Sequence, residues 1–592
     1  MERHVQAVGD RAALDTLHST HLWITLAAFG LSGRTEVWLE APGRRATEVA
    51  LGPFKLADGC DGTSAWRTDP TGKVVMLDGH DLEEAKAGAW FECDGWMAPD
   101  QGGGKVTLSG IERDGNRSYA VLEVVPPAGR SRRVYIDQST WLIDRVVSRS
   151  DQGTVTITLS DWRDVGGRKI SFRSVQQIAG MPANDATLAL DSLRFNEPIP
   201  AARFAPPGSG PTPVRYLRSA GVARLPFEYS ARHVWLRASV NGKPPADFLY
   251  DTGASLSVLD STYAASVGIA TEGHIQGQGA GASGTGSFAR VDSLRVAAPD
   301  GDGVAIDGLE VAVLDLNAIL APYFWREAAG VIGFDFIGRF VNEIDYDAHT
   351  IVLHDPARYE YRGAGAAIPM TLAGHAPVVR LRLDGEVEGD FRVDVGSGST
   401  VDLHRPFVLA HGLDRRLAAG VEVTSGGFGG TFRSRVTRAR SLAVGPYSWE
   451  RPLVSLSSAE GGAFASEDYA GNIGNQLLER FKCTLDYERR VLHLEPGARY
   501  RRPDSFTRSG VQLARRGGAI EAAQVLPGSP AEKAGLRPGD RVLAIAGRPA
   551  GEYTVDAAAD VLDHGPPGRK VKLEIERDGK KKRVKIRLRE FL

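Results

Sequence analysis

Cysteine is scarce. The 592 residues hold three, Cys60, Cys93 and Cys483, too few for a disulfide framework and without the C-x-x-C spacing of zinc or redox sites. The sequence calls for no metal and no cofactor. Cys60 and Cys93 could pair in an oxidising compartment or stand as free thiols. Net charge is almost absent as well: 71 Lys and Arg against 73 Asp and Glu leave −2, so no whole-chain field draws nucleic acid or an anionic membrane. No apolar run approaches the roughly 18 residues of a membrane span. Met1-Glu2-Arg3-His4 leads into an amphipathic stretch (Val5, Val8, Ala12, Leu14, Leu17) rather than an apolar signal core, so a secretory signal is either absent or removed. A G-x-S-x-G elbow, an H-E-x-x-H helix and a Cys paired to a nearby His motif are also missing, which counts against nucleophilic and zinc hydrolysis.

Glycine is abundant, 69 residues, well above the usual share of about 7%. It falls mostly at turns between short β-branched runs, which predicts a mainly β chain of strands and hairpins. The length allows about four packing units. Residues 1–200 open with a helix and continue as polar and apolar alternation, as in Thr35-Glu36-Val37-Trp38-Leu39 and Thr154-Val155-Thr156-Ile157-Thr158-Leu159. Such alternation describes a sheet with one wet face. A Pro- and Gly-rich stretch, placed at 201–216, breaks all periodicity and reads as a linker.

The next section contains a repeat. The run from Val240 to Tyr250-Asp251-Thr252-Gly253 aligns without a gap to the run from Leu383 to Val393-Asp394-Val395-Gly396, an offset of 143 residues. Gly330-Val331-Ile332-Gly333 is answered by Gly471-Asn472-Ile473-Gly474, and Asp345-Tyr346 by Asp486-Tyr487, at an offset of 141. Two equivalent lobes, 217–362 and 363–502, are expected. Each sets an Asp directly after a strand (Phe248-Leu249-Tyr250, Phe391-Arg392-Val393) and before a tight turn, so that a carboxylate is held at a strand end. Gly279-Ala280-Gly281-Ala282-Ser283-Gly284 fits a dinucleotide-binding pattern, but a strand follows it where a phosphate-binding helix is required.

Through Asp251-Thr252-Gly253-Ala254-Ser255 and, more loosely, Asp394-Val395-Gly396-Ser397-Gly398-Ser399, the repeat resembles the retropepsin-like and pepsin-like aspartic proteases. The resemblance implies that two lobes meet about a two-fold axis, with Asp251 and Asp394 catalytic. Thr252, Gly253, Val395, Gly396 and Ser397 would support the catalytic turns. Adjacent carboxyls cannot both ionise, so one would act as base toward a water and the other would donate to the peptide carbonyl. The glycine-rich segments with Gly279 and Gly281, and with Gly427, Phe428 and Gly429, would be flaps closing over a substrate strand. The second turn departs from the family pattern, because Val395 lacks the hydroxyl that bonds across the two-fold. Ser397 would donate to an outer oxygen of Asp394.

Ser529-Pro530-Ala531-Glu532-Lys533-Ala534-Gly535-Leu536-Arg537-Pro538-Gly539-Asp540 resembles the central signature of bacterial-type PDZ domains, here 503–592. The resemblance implies a carboxylate-binding loop at Gly510, Val511, Gln512 and Leu513 for a C-terminal peptide. Truncation before about residue 503 is expected to leave hydrolysis of short peptides largely unchanged and, if the PDZ module recruits substrate, to impair cleavage of proteins with a free C-terminus. Asp61 to Pro70 and Tyr135 to Leu142 resemble the hairpins of LolA-like half-barrels, whose concave face holds an acyl ligand or else is a filled scaffold. Together these readings describe a LolA-like domain, a single-chain two-lobed aspartic endopeptidase and a PDZ barrel. Such a protein would be a monomer acting on polypeptides, periplasmic or secreted. The alternative is a non-catalytic envelope binding or carrier protein that uses the same folds.

Overall fold

Strands make up 50% of the chain and helices 16% in the computed structural model of the protein, the mainly β class that the sequence predicts. The structure describes residues 1–68, 72–150, 153–208, 214–279, 283–373, 375–417, 419–427 and 430–592. Among the described residues no helix is long and apolar enough to cross a membrane.

One unit comprises Met1–Pro213 with Thr271–Gln276 and Ser287–Arg290. Its frame is a 13-stranded sheet of hairpin-connected neighbours, in which the first strand, Ser19–Ala28, pairs antiparallel with the last, Ala186–Phe195. The helix Gly79–Glu92 joins the two meanders. Trp90 from this helix, Val5 from the helix Glu2–Val8, and Trp96 and Met97 pack on Leu122, Val124, Val134 and Ile136. These aromatic and β-branched side chains fill the space over the sheet. The segments 271–276 and 287–290 are built into the same unit. Phe288 is buried with Ala28, Leu31, Leu51 and Phe54, and Ile275 packs beside them. The His274 amide donates to Phe29 O at 2.7 Å. Asn184 donates to Gln276 O at 2.7 Å and accepts from the Gln276 amide at 2.8 Å. Cys60, Cys93 and Cys483 are free thiols.

The other unit comprises Val214–Ala270, Gly277–Gly286 and Val291–Leu592. One three-strand arrangement occurs in it twice. Ala246–Tyr250 pairs in parallel with Gly330–Ile332, which pairs antiparallel with Val258–Asp260. Val387–Val393 pairs in parallel with Gly471–Ile473, which pairs antiparallel with Val401–Leu403. Both central strands begin at a glycine of the sequence repeat. The strands Val341–Asp345 and Phe481–Asp486 run antiparallel, from Val341 opposite Asp486 to Asp345 opposite Lys482. The two repeats therefore share one sheet, with Ile344 and Leu485 completely buried in it.

The C-terminal sheet has Val511–Arg516 at one edge and Lys580–Arg587 at the other. Ser529 caps the helix Pro530–Lys533 by accepting the Glu532 amide at 3.1 Å, as the Ser-Pro-Ala-Glu run predicts. The helix Asn317–Phe324 of the first lobe lies against the edge strand Val511–Arg516. Trp325, directly after that helix, is buried among Val511, Ile520, Ala558 and Leu562, with the Arg515 guanidinium 5.3 Å from its ring centroid. Leu320 and Phe324 of the same helix pack with Ala254, Trp235 and Val331. One short helix thus touches both the first Asp turn and the edge strand of the C-terminal sheet.

Candidate active site

Each Asp follows a strand that ends in a shared hydrogen-bond pattern. The Asp251 amide donates to Ile332 O at 3.0 Å and the Asp394 amide to Ile473 O at 2.9 Å. The following turns repeat it: Phe334 N donates to Ala254 O at 2.8 Å, and Asn475 N to Ser397 O at 2.7 Å. Strand ends and turns are pinned identically, so the two carboxyls arrive at equivalent places. They also arrive together. A methyl carbon on Gly253 would stand 2.9 Å from Asp394 Oδ1 and 3.1 Å from Asp251 Oδ1, and one on Gly396 would stand 2.2 Å from Asp251 Cγ. Glycine is required at both places because any side chain would occupy the space of the carboxyls.

Thr252, 1% exposed, ties the two turns. Its hydroxyl donates to Val393 O at 2.7 Å and accepts from the Val395 amide at 3.0 Å. Val395 returns no such bond, as its side chain dictates. Its carbonyl instead accepts Asn475 Nδ2 at 2.6 Å, and the same nitrogen donates to Arg232 O at 2.7 Å. Val395→Thr adds a hydroxyl to a site that Asn475 already helps to hold. We expect activity to be kept and stability to move by about 1 kcal/mol in either direction, read from denaturant midpoints. Loss of the fold would show that the buried valine contributes by packing.

Ser397 differs from expectation. Its hydroxyl pairs with that of Ser399 at 2.9 Å, and Ser399 donates to Asp402 Oδ2 at 2.5 Å. The groups that reach Asp394 are Asn472, whose Nδ2 donates to Oδ2 at 3.0 Å, and Arg392, whose Nη2 donates to the same oxygen at 3.2 Å. The physical reason is strand direction: Arg392 stands two residues before Asp394 and leaves the sheet on the same face, while the turn carries Ser397 away. The signal for Arg392 was present in the sequence, as a charge at the position where the first lobe has Leu249.

Burial and then the charge of Asp394 push the Asp251 carboxyl up to about 7, against the Gly253 amide, which donates to Oδ1 at 2.7 Å. Asp335, just beyond the Gly330–Ile332 strand, is likewise pushed up to about 7 by burial, although the Ser257 amide and hydroxyl both donate to its Oδ1 at 2.8 Å. Both carboxyls hold a proton in the folded chain that the unfolded chain releases above about pH 4. Their contribution to stability is therefore complete at low pH and is lost as pH rises toward 7. Asp335→Asn should flatten that fall, by a few kcal/mol at most. Thermal midpoints from pH 4 to 7 that decline as steeply in the variant as in the parent would refute it.

The glycine-rich hairpins occupy both lobes. The second runs Val421–Gly427 and Gly430–Arg438, with Gly427 opposite Gly430 at its end; Phe428 and Gly429 lie outside the described residues, as does Gly281. Gly279 O accepts the Ala463 amide at 2.9 Å. The arms of the first hairpin, 271–276 and 287–290, belong to the N-terminal unit and are anchored there by Ile275 and Phe288. In the C-terminal sheet, Gly510 has φ +75°, and a Cβ there would meet the Ser529 side chain at 2.2 Å. The Gly510 amide donates to Thr507 Oγ1 at 2.8 Å and the Val511 amide to Ser509 Oγ at 3.2 Å, so two amides read as carboxylate ligands have internal acceptors. Gln512 is exposed and Leu513 packs against the core of the sheet.

Residues 236–336 match the family model of aspartyl proteases and residues 521–577 that of PDZ domains. The chain carries both domains. The aspartyl protease match includes the turn of Asp251, and the lobe of Asp394 answers it through the repeat. Over 101 residues the chain is 36% identical to a Ralstonia nicotianae protein named as a zinc metalloprotease, covering 17% of this chain and 20% of that one. Over 75 residues it is 37% identical to the carboxy-terminal processing protease CtpA of Bacillus subtilis, covering 13% and 16%. The chain thus spans a fifth or less of these relatives. Among solved structures it is similar to the LolA superfamily protein NE2245 of Nitrosomonas europaea, with 14% identity, 34% and 95% coverage and a TM-score of 0.26. It is similar also to basic 7S globulin from soybean, with 13% identity, 46% and 95% coverage and a TM-score of 0.28.

Proposed function

We propose that the chain is an endopeptidase of the aspartic type, in which Asp251 and Asp394 hold and activate the water that attacks a peptide carbonyl. The observation that carries this reading is the convergence of two carboxyls, from two equivalently hydrogen-bonded turns, on the space beside Gly253. The raised Asp251 keeps one proton in the pair toward neutrality, and the singly protonated pair holds both an acid and a base. No covalent intermediate is needed. Substrate is a polypeptide strand lying beside the two carboxyls, and both carboxyls are on one chain, so a monomer suffices. A C-terminal peptide at the PDZ domain remains part of the proposal, although it has to compete with the internal acceptors of Gly510 and Val511. We place the protein in the periplasm or outside the cell, which fractionation of the producing cells tests.

The N-terminal unit is read as a scaffold. A hollow of about 610 Å³ is lined by Trp23, Ile24 and Leu193 but also by Arg34, Glu36, Asp191 and Arg194, and a second of about 220 Å³ lies below the ~300 Å³ at which ligand pockets begin. Neither offers the continuous apolar lining that an acyl chain needs.

The test is cleavage of denatured protein by the purified chain, with the product ends identified. Cleavage should withstand metal chelators and reagents that modify Ser or Cys. It should stop with a peptide that carries a hydroxyl-bearing tetrahedral carbon in place of the scissile carbonyl. Specific activity should not fall on dilution. Absence of cleavage at every pH from 3 to 8 would leave a binding protein built on this fold.

A further inference from the structure

Arg392 lies on the Val387–Val393 strand where the first lobe has Leu249. Its donors go three ways. Nη2 donates to Asp394 Oδ2 at 3.2 Å, Nε to Asn472 Oδ1 at 3.2 Å, and Nη1 to Gly253 O at 3.4 Å. Asn472 closes a ring by donating to the same Asp394 oxygen at 3.0 Å. The guanidinium carbon is 5.4 Å from the Tyr469 ring centroid, and the side chain is 12% exposed. The contact to Gly253 crosses from the second lobe to the first turn, the direction in which Val395 supplies no bond.

Resting on the dyad proposed above, the geometry points to Arg392 as a positioning residue that makes the two carboxyls unequal. It fixes the negative charge on Asp394 and leaves the shared proton on Asp251, and it ties the lobes where Val395 lacks a hydroxyl. Asp394 is then the base toward water and Asp251 the acid toward the carbonyl before any substrate arrives.

The other groups around the pair do not supply this bias. His233, whose ring lies 3.2 Å from where a Cβ on Gly398 would stand, is pushed down by burial. Asp402 is pushed up to about 6 by burial and bonds to Ser399. Tyr487 faces Asp251 and is raised by burial. His404, near Arg392, is pushed down to about 3 by burial and then by the Arg392 charge. Burial also works to lower the pKa of Arg392, but Tyr469, Asp394 and Asp251 more than offset it. The guanidinium is therefore a permanent charge at hydrogen-bond distance from the pair, on the Asp394 side.

The experiment compares kcat/KM from pH 3 to 8 for the parent, Arg392→Leu and Arg392→Lys. Arg392→Leu, which copies the first lobe, should move the acidic limb up by about 1–3 units. Arg392→Lys keeps the charge and should hold that limb near the parent's, while its weaker reach to Gly253 and Asn472 lowers the melting temperature. A limb that stays in place in folded Arg392→Leu, or that moves equally in both variants, overturns the proposal. Carboxyl-carbon NMR titration of the pair supplies a readout without turnover. It should show the same upward displacement in Arg392→Leu even if the parent cuts nothing, a result that would fail the protease reading while sparing this one. An unmoved titration overturns the Arg392 role whatever the activity.

Discussion

Asp251→Asn and Asp394→Asn should each abolish peptide hydrolysis, with kcat lower by at least ~10³-fold and the fold intact. General acid–base groups contribute about 10²–10⁴-fold each. In the proposed mechanism the acid and the base share one proton and act as a unit, so the double variant should be no worse than either single one. The fold should survive because Asn keeps the volume of Asp and can still accept the Gly253 amide that now donates to Asp251 Oδ1 at 2.7 Å. At Asp394 it can accept from Asn472 and Arg392 in the same way. A quenched fluorogenic peptide reads turnover and circular dichroism reads the fold. Undiminished turnover in both single variants would remove the dyad from the mechanism.

Deleting residues 503–592 should cost the two Asp-bearing lobes their stability, a reversal of the expectation that the PDZ module is removable. Trp325 is buried in the PDZ core beside Val511, Ala558 and Leu562, and truncation of a large buried aromatic side chain costs about 3–5 kcal/mol. The deletion also removes Asp504, the partner of buried Arg480, whose side chain is 6% exposed. Leaving one member of a buried ion pair alone costs a similar ~3–5 kcal/mol. Asp556, which accepts the Ala231 amide at 2.8 Å and the Ser230 hydroxyl at 2.5 Å, is lost too. These losses are comparable with the whole stability of a typical domain, roughly 5–15 kcal/mol. The 1–502 fragment should therefore melt far below the full chain or aggregate, and Trp325→Ala in the full chain should reproduce a part of the loss. A fragment that melts within a few degrees of the parent and cuts short peptides equally well would restore the picture of an independent module.

The Asp-Thr-Gly turn, its looser copy at Asp394 and the Ser-Pro-Ala-Glu cap at Ser529 are legible in the sequence because each is decided over a few residues. A turn that a Cβ would block, a cap that must accept an amide and a strand that must alternate leave local marks. The lobe repeat is legible for a related reason: two segments that fold alike keep the same residues at the same spacing, down to the paired glycines Gly330 and Gly471. What could not be read is which side chains meet once these pieces pack. Ser397 has an equally good partner in Ser399 and in Asp394, and only the path of the turn chooses between them. Arg392 reads as one more charge of its strand until Gly253 arrives from the other lobe. Trp325 and Phe288 carry no local mark of their partners, and one is buried in the PDZ core and the other among strands of the N-terminal unit. The sequence alone determined the elements and the two Asp turns, because short-range sterics and hydrogen bonding decide those. The tertiary structure alone decided which groups reach Asp394, where Phe288 is buried and which PDZ residues enclose Trp325. Burial and electrostatics act through space between residues as far apart in the chain as Ser230 and Asp556.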